Sequence, residues 1–173
     1  MRYYLNIGTN MGDRHGNISR AVAQIASRLQ TEVVQSAPFE SEPWGYESDN
    51  RFINVGVALD SEKEPQEVQS ELHGIEVTMG SASHRHADGS YADRIIDIDV
   101  IAIDEMIIDS DTLTVPHPRM EQREFVLVPM EEIAPEWRHP KSGLTAAEML
   151  AVLRGGGVSG TKRGQNGCIV REK

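Results

Sequence analysis

Residues 94–103 read Arg-Ile-Ile-Asp-Ile-Asp-Val-Ile-Ala-Ile. So dense a run of β-branched and apolar side chains predicts a core strand. Two carboxylates interrupt it, at Asp97 and Asp99. Side chains two apart on a strand share a face, so both acids point the same way with backbones about 7 Å apart. Unpaired, they would repel each other and resist burial. A hard divalent cation removes that cost, because magnesium takes oxygen ligands and fills its shell with substrate phosphates. Ion pairing or a solvated strand end is the alternative for the same two residues. The face continues apolar at Ile101 and Ile103, so the acids mark one end of a buried strand.

The rest of the chain supplies a matching framework. Residues 3–7 predict a first strand that ends in the glycine turn Gly8-Thr9-Asn10. Residues 17–29 predict a helix with Ile18, Val22, Ile25 and Leu29 on one stripe. A short strand at 31–36 and a long loop at 38–51 follow. Residues 52–60 alternate, with Ile53, Val55, Val57 and Leu59 facing one way and Phe52, Asn54 and Gly56 the other, which predicts a half-buried strand. Pro65 suits the first turn of a helix whose stripe is Val68, Leu72, Ile75 and Met79. A second long loop spans 80–93 and leads into the aspartate strand. Asp104 and Glu105 turn that strand back into 106–108. A connector at 113–119 leads to a short helix at 125–132, and Thr145 to Glu148 forms a capping box for a last helix ending at Leu153. The order β-α-β-β-α-β-β with added helices predicts an α+β or α/β sandwich occupying residues 1–154, with a flexible tail at 155–173.

Long structureless connections inside a small domain usually bind or cover something. Here both loops precede the strands that carry polar residues, the layout of a site with lids. Phe52 and Asn54 share a strand face, and a ring beside a carboxamide suits a flat heterocycle stacked and read at its edge. A core Phe and a strand-end Asn are the plainer reading. Phe125 is either a second plate or part of the core. His117, between two prolines, is either a phosphate donor or a loop residue without a role.

The net charge of −10 argues against a nucleic-acid or membrane-surface binder. It also leaves few cations for a polyphosphate. Arg85, Arg94, Arg119 and Arg123 are the candidates, since the guanidinium fork binds phosphate in bidentate fashion. The run His84-Arg85-His86 lacks the partners of a metal tract and reads as loop. No Walker-A, G-x-S-x-G or zinc-cysteine spacing occurs. A lone cysteine, Cys168, and a first segment without a signal-like apolar core point to a reducing cytoplasm.

Together the motifs resemble the 6-hydroxymethyl-7,8-dihydropterin pyrophosphokinase family. The matching segments are Ile7-Gly8-Thr9-Asn10, Ser41-Glu42-Pro43-Trp44-Gly45, Phe52-Ile53-Asn54, the stretch from Arg94 to Asp99, Leu113-Thr114-Val115-Pro116-His117-Pro118 and Arg123-Glu124-Phe125. The resemblance implies a ferredoxin-like three-layer α/β/α sandwich with a mainly antiparallel sheet. It implies transfer of pyrophosphate from ATP, the co-substrate, to the hydroxymethyl oxygen of the pterin, in folate biosynthesis. By position, Asp97 and Asp99 correspond to ligands of two Mg²⁺ ions, with Arg94 beside them in catalysis. Ser41, Trp44, Phe52, Asn54 and Phe125 correspond to pterin contacts. Glu76, Arg85, Tyr91, Thr114, His117 and Arg123 correspond to ATP contacts. No protein partner, nucleic acid or membrane is implied. The chain departs from the family in the loop at 80–93, where Arg85 is the nearby arginine and Tyr91 takes a tryptophan position. It departs again at His73, where glutamine is common. A pterin- or nucleotide-binding paralogue without transfer activity is the alternative that these departures raise.

Overall fold

β1 (Arg2–Thr9) runs through the centre of the sheet, and seven of its eight residues are buried. The structure is a computed structural model and describes residues 1–81 and 93–155. Most of the loop expected at 80–93 and nearly all of the tail expected at 155–173 lie outside the described residues. β1 pairs antiparallel with β4 (Phe52–Asp60) on one side and with β5 (Asp97–Ile103) on the other. β2 (Val33–Gln35) and β3 (Phe39–Ser41) pair one after the other, also antiparallel, along the far edge of β4.

α1 (Arg14–Leu29) and α2 (Pro65–Thr78) cover one face of this sheet. Asp13 caps α1 by accepting from the Gly16 N–H at 3.0 Å. Glu64 and Glu67 close a reciprocal capping box on α2, with Pro65 in its first turn. Ile18, Ala21, Ile25 and Leu29 of α1 and Val68, Leu72 and Ile75 of α2 pack on the odd-numbered apolar residues of β1 and β4. Each of the larger side chains, fully buried, contributes about 1.5–3 kcal/mol.

α3 (Glu124–Ile133) and α4 (Ala146–Leu153) cover the opposite face. There Tyr4, Ala58 and Ile101 meet Val126, Leu127, Met130, Met149 and Leu150 in a second core. Gly56 lets α3 lie close, since a Cβ on it would stand 2.9 Å from Pro129 Cβ. The result is the three-layer α/β/α sandwich that the family resemblance implies, with β1 as its central strand. Among the described residues no helix is long and apolar enough to cross a membrane.

In four places the fold departs from the sequence pattern. The loop at 38–51 contains β3, which pairs Ser41 with Phe52 and Phe39 with Asn54. β4 is buried on both faces, because α3 covers the side that the alternation left open. Residues 94–96 precede the aspartate strand, and a register shift opposite Tyr4 and Leu5 sends Ile101 and Ile103 to different cores. Residues 106–108 do not fold back on β5. Instead β6 (Ile108–Asp109) pairs with β7 (Thr114–Val115) in a separate ribbon, leaving Met106 and Ile107 exposed.

Candidate active site

Three neighbouring strands lay the floor of the site through their register alone. Gly8 on β1 lies opposite Asn54 on β4 and opposite Asp97 on β5; Asn6 lies opposite Gly56 and Asp99. A carboxamide and two carboxylates therefore stand on one sheet face with a glycine between them. A Cβ at Gly8 would sit 2.8 Å from Asn54 Oδ1 and 3.5 Å from Phe52 Cδ1, so the missing side chain keeps the floor open. Around this row lies a cleft of about 400 Å³.

At one end stand Ser41, Trp44, Phe52, Asn54 and Phe125. Asn54 is 3% exposed and its amide is held from both sides. Its Nδ2 donates to Ser41 Oγ at 3.0 Å, and its Oδ1 accepts from Asn6 Nδ2 at 3.3 Å. Ser41 reaches Asn54 because β3 brings it there, which is why the unexpected strand matters. Trp44 lies over Arg123, whose guanidinium carbon is 4.7 Å from the indole centroid and 5.6 Å from that of Phe125. Arg119 stands 5.7 Å from the same indole.

At the other end Asp97 and Asp99 each face an arginine. Arg94 Nη1 is 2.6 Å from Asp97 Oδ2, and Arg123 Nη1 is 3.7 Å from Asp99 Oδ2. Both arginines are nearly buried. Ion pairing, the alternative for the acids, is thus present in the structure, and it sits within the cleft. Burial and then repulsion from Asp97 hold the Asp99 carboxyl well above the usual carboxylate range, against the pull of Arg123 and Arg94. Burial alone would lower the Arg94 guanidinium, but Asp97 and Asp99 more than offset it and raise it further.

His117 is pushed down to about 4 by burial, then by Arg123 and Arg119, so its ring is neutral at pH 7. Its Nδ1 accepts from the Arg119 N–H at 3.1 Å. The single ring proton is thereby assigned to Nε2, which stands 3.5 Å from Arg123 Nη1. Two donors converge there, an arrangement suited to an anion.

α2 walls the cleft with Gln69, His73 and Glu76. Glu76 is buried, and its Oε1 accepts from the Ile98 N–H at 2.8 Å on the outer edge of β5. Thr114 does not line the cleft; it lies in β7, paired with Asp109. Arg85, Tyr91, the histidines at 84 and 86 and Cys168 lie outside the described residues. Sequence reasoning missed Asn6, Gly8, Tyr46 and Gln69 as lining residues. For the first two a signal existed, since a polar residue and a glycine two apart break an otherwise apolar strand.

The carboxylate pair fits a hard divalent cation. Both ligands offer oxygen, and the repulsion borne by Asp99 is the kind that added positive charge relieves. Among the described residues no group of three or more His, Cys, Asp or Glu could hold a metal. A pair of carboxylates alone leaves most of a coordination shell to substrate and water.

Residues 4–135 match the family described as 7,8-dihydro-6-hydroxymethylpterin-pyrophosphokinase. A 2-amino-4-hydroxy-6-hydroxymethyldihydropteridine pyrophosphokinase of Porphyromonas gingivalis is 39% identical over 140 residues, covering 80% of this chain and 94% of that one. A protein of the same name from Methylorubrum extorquens is 35% identical over 158 residues, covering 91% and 96%. Among solved structures, Plasmodium falciparum HPPK-DHPS with pteroate superposes with a TM-score of 0.64 at 15% identity, over 86% of this chain and 41% of that longer one.

Proposed function

The chain belongs to the 7,8-dihydro-6-hydroxymethylpterin-pyrophosphokinase family and transfers pyrophosphate to 6-hydroxymethyl-7,8-dihydropterin in folate biosynthesis; we propose that ATP is the donor, that magnesium is required, and that the cleft around Asp97 and Asp99 is where this happens. In this reading the hydroxymethyl oxygen attacks the β-phosphorus, the bond to the bridging oxygen of the α-phosphate breaks, and AMP leaves. The hydroxyl proton passes to solvent. Two magnesium ions, held by Asp97 and Asp99, would neutralise charge on the phosphate oxygens.

The chain's own residues do the positioning. Phe52 and Phe125 stack the pterin, while Asn54, locked by Ser41 and Asn6, reads its edge. Trp44 closes over that end. Arg94, Arg123 and the Nε2–H of His117 take the phosphate oxygens, and Glu76 holds the strand that carries the aspartates. Arg85 and Tyr91 complete the set of ATP contacts we propose on the family pattern. A site built this way works by alignment and electrostatics, with little covalent chemistry required of the protein.

The observation that carries the reading is the cross-strand row of Asn54, Gly8 and Asp97, which sets a heterocycle-reading amide beside a phosphate-handling acid. The test is AMP formation from ATP, Mg²⁺ and 6-hydroxymethyl-7,8-dihydropterin. AMP at background level would sink it. We place the protein in the cytoplasm, in keeping with its single cysteine.

A further inference from the structure

Asp93, which no step above uses, is a hub between two parts of the cleft. Its Oδ1 accepts from Asn10 Nδ2 at 2.8 Å and from the Tyr46 hydroxyl at 3.1 Å. Its Oδ2 accepts from Asn50 Nδ2 at 2.7 Å. Tyr46 and Asn50 belong to residues 42–51, the segment that carries Trp44 over Arg123. The next residue along the chain from Asp93 is Arg94, the partner of Asp97. Asn10 holds Arg94 in turn, since its Oδ1 accepts from the Arg94 N–H at 2.8 Å and its own N–H donates to the Arg94 carbonyl at 3.2 Å. One carboxylate thus ties the segment bearing Trp44 to the backbone that sets Arg94.

We propose that Asp93 is a positioning residue, which through Tyr46 and Asn50 holds residues 42–51, and with them Trp44, over the heterocycle end of the cleft. This rests on the functional reading given above. Several hydrogen bonds accepted by one charged group are a strong local fastening, because bonds to a charged partner are worth more than neutral ones. Burial pushes the Asp93 carboxyl up, but hydrogen bonds from Ser48, Asn10, Asn50 and Tyr46 outweigh it and leave the group below its ordinary value. Losing the Asp93 side chain leaves both contacts between Asn10 and the Arg94 main chain in place, so the carboxylate end should keep its geometry while the Trp44 end loosens.

The test reverses one hydrogen bond. Asn50→Asp sets two carboxylates face to face and should release the segment, raising KM for the dihydropterin about tenfold. KM for ATP and kcat should change far less. Asp93→Ala should do the same. Asn50→Asp combined with Asp93→Asn restores a donor opposite an acceptor and should return KM to near the parental value. A second readout needs no turnover. The chain has two tryptophans, so 5-fluorotryptophan gives two ¹⁹F resonances, and that of Trp44 should narrow and shift in each single variant and return in the double. Unaltered dihydropterin KM in the single variants, a double variant as impaired as Asn50→Asp, or a Trp44 resonance that neither single variant moves would each overturn the proposal. Absence of AMP in the parent protein would instead remove the functional reading, and the fluorine experiment would still decide the fastening.

Discussion

Gly8 lies directly across from Asn54 on the neighbouring strand, and the Cβ it lacks would lie 2.8 Å from the Asn54 amide oxygen. That oxygen is fixed by Asn6 and its amide nitrogen by Ser41, so the carboxamide has little room to retreat. Gly8→Ala should therefore keep the fold at a cost of about 1–3 kcal/mol, as overpacking usually does. It should also tilt Asn54 and cut kcat/KM for the dihydropterin about tenfold or more. Thermal melting beside steady-state kinetics checks both. A variant with parental kinetics would show that the floor is not tight.

Asp99→Asn should separate stability from activity. The folded protein disfavours the ionised form of Asp99, since its carboxyl is held above the ordinary range by burial and Asp97. Such a group costs nothing while protonated in both states, and its cost grows as pH rises from the ordinary carboxylate range toward neutrality. The variant should accordingly melt at or above the parent at neutral pH, with the difference shrinking in acid. Turnover should fall by orders of magnitude. Melting curves across pH together with AMP assays decide it, and parental turnover would refute the assignment of Asp99.

His117 has a different pH signature. Its folded value of about 4 lies below the ordinary 6.5, so the unfolded chain binds its proton first as pH falls. The stability that depends on a neutral ring is complete above about 6.5 and is lost as pH drops toward about 4. His117→Gln should flatten that part of the acid limb. Urea titrations at a series of pH values would reveal it, and superimposable profiles would count against a neutral buried ring.

Glu76 offers a test of strand support. Its Oε1 takes the Ile98 N–H on a buried edge, so Glu76→Ala leaves a buried donor unsatisfied and should cost about 1–3 kcal/mol. Glu76→Gln keeps the acceptor and should recover most of that loss. Equal destabilisation in both variants would mean that charge, not this hydrogen bond, is what matters at residue 76.

Much of this was legible from residue pattern. The stripe of α2, the bounds of β4 and the capping box of α4 are local, and each formed where the pattern put it. The acids at 97 and 99 could be read as sharing a face because strand periodicity is rigid. Their arginines could not be chosen with equal ease: Arg94 is three residues from Asp97, whereas Arg123 arrives from the start of α3. β3 was hidden because three residues between prolines carry too little periodicity to stand out. The family pattern places Thr114 with His117 among the ATP contacts, whereas the ribbon with β6 holds it outside the cleft lining. The hub at Asp93 gathers Asn10, Tyr46 and Asn50 from segments far apart in sequence, and no single window contains it.

The outer edge of β5 is finished with side chains. Glu76 takes the Ile98 N–H, and just before the strand begins the Ser81 hydroxyl takes the Ile96 N–H at 3.0 Å. A bare strand edge is a template on which another chain can add and aggregate. Here two donors at the start of that edge, which such an intruder would seek, are already engaged, so the end of the strand nearest the cleft is a poor place for a second polypeptide to pair.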